Sequence, residues 1–388
     1  MIRSSFMKIT AVRAYALSHP LDQALFTAQE ALTDSSLILV EVEAGEGMTG
    51  YGIIHGSPLK AIAEWVERLG EIIRGDDALA HEIIWNKLFD LTVPRPRAMF
   101  GADGMVPPVP RSARQQVMAA IGGIDIALWD LKGKAARMPV YKILGGESRP
   151  VFTYSTGGYY PRDATIQSAA AEMVELVAKG YRAVKLKSGG FGVDEEIERV
   201  AAVREAIGRD ILLMLDMNAA YGLNDCIRFA RGVEPYDITW LEEPLHWYLQ
   251  PKDYVQLAAS TRIPLSHGER EIHRYTVRDF IECGAIRYLQ FDSTRAAGFT
   301  ESIRVAQLAE QHGVFVVPHH SPEIHAHLVV ALPQVGYCVE SHGSDVRDPL
   351  PHHIFRDRVT FRDGHLHLGD KPGFGLEIDW KAVERYRI

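Results

Sequence analysis

The sequence predicts an α/β protein in which a closed parallel barrel carries a smaller α+β domain. The first observation is length, because 388 residues exceed one ordinary small domain, whereas an α/β barrel alone takes ~250 residues. The second is that the first ~50 residues alternate apolar and polar side chains, which is the period of antiparallel strands. The third is that short strands and helical segments alternate after residue 139, with charged strand ends every 21 to 29 residues. Eight repeats of this size close into a parallel barrel.

Composition excludes several other classes of protein. Hydrophobic residues make up 47% of the chain and charged residues 24%, which is ordinary for a globular protein. The net charge of −8, without a block of lysine or arginine, predicts no nucleic-acid partner, and the lack of an apolar window of ~20 residues predicts no membrane partner. The expected partner is a small molecule. The cysteines stand far apart, which predicts a reduced, cytoplasmic protein: Cys226, Cys283 and Cys338.

Residues 7–54 predict the small sheet of the first domain, in the runs MKITAVRAYAL, SLILVEVEA and GYGII. The segment 45-GEGMTG-50 matches the dinucleotide motif GxGxxG, but it lies between two strand-like runs with no helix after it, so we expect a hairpin turn. A helical pattern over 58–90 and a proline-rich loop over 94–111 follow. Residues 112–136 then predict a long helix with Ser112 as its N-terminal cap.

The eight barrel strands follow the boundary at 139-PVYKILGG-146, where proline and glycines interrupt the pattern. They are predicted at VFTYST (151–156), RAVKLK (182–187), LLMLDM (212–217), TWLEE (239–243), PLSHGE (264–269), RYLQFD (287–292), VFVVPH (314–319) and GYCVES (336–341). The tail 358–380 holds an Asp-Gly hairpin and no barrel strand, and we expect it to return to the first domain. The predicted domains are residues 1–138 completed by 356–388, and residues 139–355.

Three carboxylates end consecutive predicted strands: Asp216, Glu242 and Glu269. The C-terminal ends of barrel strands meet at one mouth, so these groups should converge. Three oxygen ligands suit a hard divalent cation such as Mg²⁺, and without a cation the three charges would repel one another. The alternative for each carboxylate alone is a solvated loop residue. The alignment of all three predicts a metal site.

The run 183-AVKLKSGG-190 places Lys185 and Lys187 on the same face of a strand, because side chains alternate with a period of two. Both should face the barrel interior. A neighbouring ammonium group and a divalent cation disfavour the charged form of a lysine, which predicts a lowered pKa for Lys187 and a role as a base. Lys185 would lower the pKa of its neighbour and hold an anionic oxygen. The alternative is an ion pair with a barrel carboxylate, or a lysine that reaches solvent.

Asp292 and His319 end two consecutive strands on the other side of the barrel, which is an arrangement in which a carboxylate orients an imidazole. His320 should face away from the site, and His325 and His327 fall at the start of a helix, so we interpret all three as structural or rim groups. A zinc site formed by this run of histidines is the competing hypothesis. It is disfavoured because consecutive histidines point to opposite sides of a strand.

A cation that holds a carboxylate, a base on one face and an acid on the other predict removal of the proton next to that carboxylate. Glu323, four residues after His319, could add a hydrogen bond to the same carboxylate. Its alternative role is that of an acidic residue at a helix N-terminus, after Pro322. The predicted chemistry is therefore that of a carbon acid.

The joint pattern closely resembles the mandelate racemase subgroup of the enolase superfamily over nearly the whole chain. The motifs that carry the resemblance are the KxK of Lys185 and Lys187, the Asp-x-Asn of Asp216 and Asn218, 242-EEP-244, Gly268 with Glu269, Asp292, the pair His319 and Glu323, 124-IDIALWDLKGK-134 and 372-PGFG-375. The resemblance implies a (β/α)₇β barrel under an α+β capping domain, one Mg²⁺ per subunit, a carboxylate substrate and a homo-oligomer, often an octamer. It also implies that Lys187 and His319 take the acid/base roles and that Glu323 binds the substrate carboxylate.

Enzymes with these motifs run two reactions from the same parts. Protonation of the opposite face of the α-carbon gives racemisation or epimerisation, whereas protonation of a departing β-hydroxyl gives a 2-keto-3-deoxy acid. The resemblance favours dehydration of an acid sugar, an aldonate or aldarate, with tartrate-like acids among the candidates. A muconate-cycloisomerase-like enzyme would have a lysine where Asp292 stands. A barrel that binds carboxylates without catalysis is the non-enzyme alternative.

Polar side chains near the predicted mouth would suit a polyol substrate better than a phenyl ring. The predicted substrate-binding residues are Asn218, Tyr159, His55 and Arg295, with His246 and Ser321 as further polar neighbours. By resemblance, residues 18–34 and 52–58 are the two cap loops that set specificity. The sequence leaves open which acid sugar is bound, and whether His320, His325 or Tyr160 contacts it.

Overall fold

A computed structural model describes residues 7–95, 106–341 and 347–388, so the predicted proline-rich loop lies largely outside the described residues. The strands are β1 (Ile9–Phe26), β2 (Ala31–Ala44), β3 (Met48–Ile54), β4 (Val151–Gly157), β5 (Ala183–Lys187), β6 (Leu212–Asp216), β7 (Ile238–Glu242), β8 (Leu265–His267), β9 (Ile286–Leu289), β10 (Phe315–Val316), β11 (Val339–Ser341), β12 (Thr360–Arg362) and β13 (His365–His367). The helices are α1 (Leu59–Ile73), α2 (His81–Phe89), α3 (Arg114–Ala136), α4 (Val140–Ile143), α5 (Ile166–Ala178), α6 (Val193–Ile207), α7 (Leu223–Val233), α8 (Pro251–Ala258), α9 (Arg274–Glu282), α10 (Gly298–Gln311), α11 (Pro322–Val330), α12 (Pro349–Ile354) and α13 (Trp380–Tyr386). None of these helices combines the length and the apolar character needed to cross a lipid bilayer.

Strands β1, β2 and β3 form an antiparallel sheet, as the alternation predicts. Residues 45–47 turn between β2 and β3, which confirms the predicted hairpin at GEGMTG. The segment 18–34 is wrong as a loop, because β1 and β2 stay paired, apart from a register shift after Pro20, as far as Phe26 and Ala31. Since β3 pairs with β2 only from Ile38 onward, this segment is a long hairpin that extends beyond the third strand.

Helix α3 packs closely on β3 and joins the capping sheet to the barrel. A Cβ at Gly50 or Gly52 would overlap a carbonyl oxygen of α3, so only glycine permits this approach. On α3, Asp125 accepts hydrogen bonds from the backbone N–H (2.8 Å) and the hydroxyl (2.6 Å) of Thr300 on α10. The predicted cap is wrong, because Ser112 lies in a short 3₁₀ turn and α3 begins at Arg114 without a side-chain cap.

Strands β4 to β10 lie side by side in chain order, and β11 pairs with β4. The barrel closes between β10 and the residues before β11, through hydrogen bonds from Val316 N to Val335 O (2.8 Å) and from Tyr337 N to Val316 O (3.1 Å). Along the described chain, helices α5 to α11 alternate with eight strands, which confirms the predicted (β/α)₇β barrel. Strands β8 to β10 end earlier than predicted, so Glu269 and Asp292 lie in the loops directly after strands.

The C-terminal tail forms the predicted hairpin, with β12 and β13 joined by the Asp-Gly turn. The expectation that the tail returns to the capping domain is wrong for this hairpin, because β13 pairs with the start of β4 in the barrel. The later residues do return, since the Phe374 N–H donates to Asp130 on α3 (2.8 Å) and Arg387 forms a bridge with Leu17 on β1. The domain boundaries stay a prediction.

Candidate active site

Three carboxylates converge at the mouth of the barrel, as predicted. Asp216 ends β6, Glu242 ends β7, and Glu269 lies two residues after β8. One carboxylate oxygen of each lies within 4.8 Å of the others, and all three side chains are buried. Parallel strands bring their C-terminal ends to one edge, so the regular strand spacing of the sequence is the cause of this convergence.

The donors and charges of this cluster fit a divalent cation. Burial raises the pKa of Glu242 well above its ordinary value. Burial would also raise the pKa of Glu269, but the charges of His319 and Arg295 outweigh it and hold that pKa below the ordinary range. Within the described part of the chain, Oε2 of Glu269 has no hydrogen-bond partner. Hard carboxylate oxygens of this kind are the ligands that Mg²⁺ prefers, so Asp216, Glu242 and Glu269 are the residues that would hold it.

Lys185 and Lys187 both point into the barrel beside the carboxylates, as the alternation of β5 predicts. The Nζ of Lys185 lies 2.5 Å from Glu242 and 3.0 Å from Glu340, and the Nζ of Lys187 lies 2.5 Å from Asp216. Burial alone would lower the pKa of Lys187, but the Asp216 carboxylate outweighs burial and the pKa is raised. This direction belongs to the site without a cation, where the nearest neighbour of Lys187 is an anion. The fall in pKa beside a bound cation stays a prediction.

His319 and Asp292 form the hydrogen-bonded pair that the strand ends predict. The Nδ1–H of His319 donates to Oδ2 of Asp292 at 2.8 Å, while Thr294 donates to Oδ1 from its backbone N–H (2.8 Å) and its hydroxyl (2.7 Å). Burial would raise the pKa of Asp292, but the hydrogen bond from His319 and the nearby imidazoles hold it well below its usual range. The Nε2 of His319 is left facing Oε2 of Glu269 at 3.4 Å.

Glu340, and not the predicted Glu323, lies at the carboxylate cluster. The Oε1 of Glu323, at the start of α11, accepts a hydrogen bond from Nε of Arg358 at 2.6 Å. Glu340, in β11, lies instead at the carboxylate cluster, 3.0 Å from Nζ of Lys185 and 3.8 Å from Nε2 of His319. The signal was present in the sequence, because Glu340 is the charged end of the eighth predicted strand.

The predicted substrate-binding residues surround this cluster, and two of them carry buried polar atoms without a partner. Among the described residues, Oδ1 of Asn218 and Nδ1 of His55 find no hydrogen bond. The ring centre of Tyr159 lies 5.5 Å from the Nζ of the predicted base. Arg295 differs, because its Nη1 donates to Oε1 of Glu269 at 3.0 Å and so offsets the charge of a predicted metal ligand.

The histidines after the predicted acid are placed differently from one another. His325 and His327 each accept a backbone N–H at 3.2 Å, which confirms their structural interpretation. His320 does not face away, because β10 is only two residues long and the ring of His320 stacks on that of His55 at 4.4 Å. The competing hypothesis of a zinc site finds no support, because no group of ligand atoms from this run of histidines comes together among the described residues. A different set, formed by His55, Asp292 and His319, has three ligand atoms within 4.8 Å of one another. The hydrogen bond between His319 and Asp292 already joins two of these atoms.

Both segments predicted to set specificity reach the barrel mouth. At the tip of the long hairpin, Phe26 and Tyr160 exchange two backbone hydrogen bonds (3.0 and 2.9 Å), and Nε2 of Gln29 donates to the carbonyl of Ala219 (3.0 Å). Just after β3, the backbone N–H of His55 donates to a carbonyl in the loop after β9 (2.9 Å). The role of these contacts in specificity stays a prediction.

Buried acidic and basic groups gathered around a cation site are typical of catalysis, so fold and site together define a metal-dependent barrel enzyme. Residues 7–145 match the family described as mandelate racemase / muconate lactonizing enzyme, N-terminal domain, and residues 168–382 match the family described as enolase C-terminal domain-like. The chain therefore belongs to the mandelate racemase-like part of the enolase superfamily, which confirms the resemblance. Structures similar to this chain contain bound magnesium, and Mg²⁺ is its cofactor.

Relatives of known activity are dehydratases and cycloisomerases. D-galactarolactone cycloisomerase of Agrobacterium fabrum is 32% identical over 98% of this chain and 99% of the relative. Arabinonate dehydratase of Saccharolobus solfataricus is 29% identical over 90% of each chain. The structure of L-talarate/galactarate dehydratase from Salmonella typhimurium, liganded with Mg and L-lyxarohydroxamate, has a TM-score of 0.86 and 26% identity, and the match covers 100% of this chain and 95% of that one. This chain is thus an enzyme with lyase-type activity on a small molecule, not a non-catalytic barrel.

Proposed function

We propose that the protein removes the proton next to the carboxylate of an acid sugar and then eliminates water, which gives a 2-keto-3-deoxy acid. The observation that carries the proposal is the placement of Lys187 and the His319–Asp292 pair around one carboxylate cluster. Lys187 lies on the second barrel strand, whereas His319 follows the seventh, so they approach the cluster from different sides. Elimination requires a base for the α-proton and a separate acid for the leaving hydroxyl, and these groups supply both.

Lys187 is the proposed base. Its amine is buried at the mouth, and the ammonium group that forms when it takes the α-proton is balanced by Asp216 at 2.5 Å. Lys185, fixed between Glu242 and Glu340, adds a positive charge near the negative charge that develops on the substrate. When bound by the three carboxylates, Mg²⁺ supplies further positive charge for the substrate carboxylate.

His319 is the proposed acid. Asp292 holds the Nδ1–H, so Nε2 is the atom left to donate a proton to the departing hydroxyl. The carboxylate of Asp292 also stabilises the imidazolium form that carries this proton. Loss of the hydroxyl as water leaves an enol, which becomes the 2-keto acid when its β-carbon is protonated.

Glu340 rather than Glu323 is the acidic residue proposed to lie next to the substrate carboxylate, because its carboxylate is beside Lys185 and His319. The unpartnered Oδ1 of Asn218 and Nδ1 of His55 are proposed to bind substrate hydroxyl groups. Buried polar atoms without a partner cost free energy, and a polyol provides the missing donors and acceptors.

A second candidate is cycloisomerisation, which the cycloisomerase relative supports with 32% identity over 98% of this chain. In that reaction the leaving group is the ring oxygen of a sugar lactone in place of a hydroxyl. The same base and acid would serve. Epimerisation would also use Lys187 and His319, with the proton returned to the opposite face of the α-carbon.

The test is a screen of aldonates, aldarates and their lactones with Mg²⁺. The 2-keto acid is measured as its semicarbazone, and exchange of the α-proton is followed by NMR in D₂O. We expect keto acid from at least one open-chain acid sugar. Turnover of lactones alone would favour the cycloisomerase, while exchange with inversion and no keto acid would favour an epimerase and refute dehydration.

Matched variants test the two assigned roles. Lys187→Ala and His319→Asn should each abolish keto acid formation while the fold stays intact by circular dichroism. Lys252→Ala and His312→Asn are the controls, because both side chains are exposed and outside the site. Full activity of either site variant would contradict the role proposed for that residue.

The homo-oligomer and the cytoplasmic location stay predictions. Light scattering of the purified protein tests the first, with an octamer as the expected form. A monomer at micromolar concentration would contradict it.

A further inference from the structure

A buried polar cluster lies under the C-terminal ends of β4 and β5, outside the groups that the proposed reaction uses. It consists of Tyr160, in the loop after β4, and Glu196 and Arg199 on α6. Their exposed fractions are 6%, 0% and 1%. Moving a guanidinium and a carboxylate from water into the protein interior costs free energy, which their hydrogen bonds must offset.

Arg199 contacts the backbone at two places that matter for the site. Its Nη1 donates to the carbonyl oxygen of Lys187 at 2.6 Å, and its Nη2 donates to the carbonyl oxygen of Gly158 at 2.5 Å. The first carbonyl belongs to the proposed base itself. The second directly precedes Tyr159, whose ring faces the amine of that base at 5.5 Å. One rigid guanidinium therefore fixes the ends of two neighbouring strands.

Glu196 and Tyr160 complete the cluster. Glu196 accepts hydrogen bonds from the Tyr160 hydroxyl, from the backbone N–H of Phe191 (3.0 Å) and from Arg199 (3.3 Å). The Tyr160 hydroxyl in turn accepts from Nη1 of Arg199 at 3.0 Å and from the Gly190 N–H at 3.0 Å. The loop after β5 is thus held at Lys187 by Arg199, and at Gly190 and Phe191 by Tyr160 and Glu196. An apolar cluster of the same volume would fill the space but would hold neither carbonyl.

The local sequence leaves room for this arrangement. A Cβ at Gly190 would lie 2.6 Å from Cζ of Tyr160, so the tyrosine ring occupies the space that any other residue at 190 would need. Gly158 has φ of 69°, and a Cβ there would overlap Leu186 and lie 3.1 Å from Nη2 of Arg199. The close packing of these two glycines against the cluster therefore supports its fixed position independently of the hydrogen bonds.

The cluster also joins the capping domain to the base. Tyr160 exchanges two backbone hydrogen bonds with Phe26 at the tip of the long hairpin. The hairpin, the loop after β4 and the end of β5 therefore share one fixed point. Any shift of Tyr160 would move both the hairpin that covers the mouth and the strand end that carries Lys187.

We propose that Arg199, held by Glu196 and Tyr160, is a positioning residue that fixes the backbone of Lys187 for removal of the substrate α-proton. The proposal rests on the proposed function of Lys187 as the base. Proton transfer requires the amine within hydrogen-bond reach of the proton, so a small displacement of the strand end slows this step more than it weakens substrate binding.

Arg199→Lys tests the proposal, because an ammonium group keeps the charge but cannot donate to both carbonyls in a fixed fork. We expect the rate of α-proton exchange to fall on the order of 10-fold or more, with KM changed by less than about threefold. The matched control is Arg204→Lys on the same helix. Arg204 is also buried and donates to four backbone carbonyls, but at the opposite end of the barrel strands, so it should lower Tm and leave exchange unchanged.

Tyr160→Phe is the second variant, since it removes one hydroxyl and keeps the ring in its place. Tyr181→Phe is its control, because the Tyr181 hydroxyl forms a hydrogen bond with Ser341, away from Lys187. We expect slower exchange of the α-proton in Tyr160→Phe and an unchanged exchange rate in Tyr181→Phe. Exchange within about twofold of wild type in both site variants, measured below every Tm, overturns the proposal.

Crystal structures of wild type and Arg199→Lys separate this proposal from the proposed function. We expect the Lys187 carbonyl and Nζ to move relative to Asp216 in the variant. If the wild type exchanges the α-proton of none of the acid sugars, the proposed function fails. The positioning role of Arg199 is then decided only by whether Lys187 has moved in the crystal structure of the variant. An unmoved Lys187 in the variant then overturns it.

Discussion

Asp292→Asn separates the two proton transfers that the proposed reaction requires. Thr294 donates two hydrogen bonds to Oδ1 of Asp292, so an asparagine would keep its carbonyl oxygen there and turn its amide nitrogen toward Nδ1 of His319. The neutral imidazole would then carry its proton on Nε2. Its protonated form would lose the carboxylate that stabilises it.

The magnitude follows from the burial and the geometry of this pair. Asp292 is fully buried, and its bond to His319 is 2.8 Å long, so no solvent replaces the lost charge. A hydrogen bond to a charged group contributes about 1.5–3 kcal/mol. At 1.36 kcal/mol for each factor of ten, the loss corresponds to roughly 10- to 150-fold in the step that needs the imidazolium.

The assay compares keto acid formation with exchange of the α-proton in D₂O. We expect Asp292→Asn to slow keto acid formation by this factor, while exchange, which depends on Lys187, stays within about threefold of wild type. Asp225→Asn, an exposed position on α7, is the control for the substitution itself. Equal losses in both measurements, or an unchanged rate of keto acid formation, would refute the division of roles between His319 and Lys187.

Three further predictions concern the metal site, stability and the two glutamates. In wild type, Mg²⁺ at 100 times its Kd should stabilise the folded state by about 2.7 kcal/mol, which is measured as a rise in Tm. Glu269→Gln should abolish this rise, whereas Glu301→Gln, an equally buried carboxylate outside the cluster, should retain it. Burial raises the pKa of Asp125 to about 7, so the folded state binds this proton more tightly than the unfolded state. Between pH 4 and pH 7, urea unfolding should show wild type losing about 3 kcal/mol of stability relative to Asp125→Asn, and a constant difference would contradict this. Glu340→Gln should lower kcat at least tenfold, because it removes the carboxylate beside Lys185 and His319, while Glu323→Gln, which loses the ion pair with Arg358, should leave kcat within about threefold of wild type; the reverse result would restore the original assignment.

The parts of the site that could be predicted from sequence are those fixed by strand geometry. A period of two places Lys185 and Lys187 on one face, and equal repeats place Asp216 and Glu242 at neighbouring strand ends. These relations hold whatever the surrounding side chains are. Strand geometry does not fix the pKa of Lys187 in the same way, because its direction depends on the balance of the charges around it, a bound cation included.

Prediction failed where the regular period stops. The alternation of side chains along a strand predicts that His320 faces away from the site. However, β10 ends four residues before His320, whose backbone has φ of 54°, so the alternation no longer applies there. The segment 18–34 was assigned as a loop by resemblance, although its strands pair as far as the tip. In both cases the length of the strand depends on its pairing with a neighbouring strand, which the local sequence does not show.

Glu323 and Glu340 illustrate why the end of a strand predicts a site better than nearness along the chain. Glu323 is only four residues from His319, yet it starts a helix, and its carboxylate is held by Arg358 from the tail. Glu340 is 21 residues from His319, but its strand pairs with β4, beside the strand of Lys185, so its carboxylate meets that amine at 3.0 Å. In a closed barrel, adjacency between strands determines which charges meet, and a residue of the eighth strand lies beside the first strand and within reach of a side chain from the second.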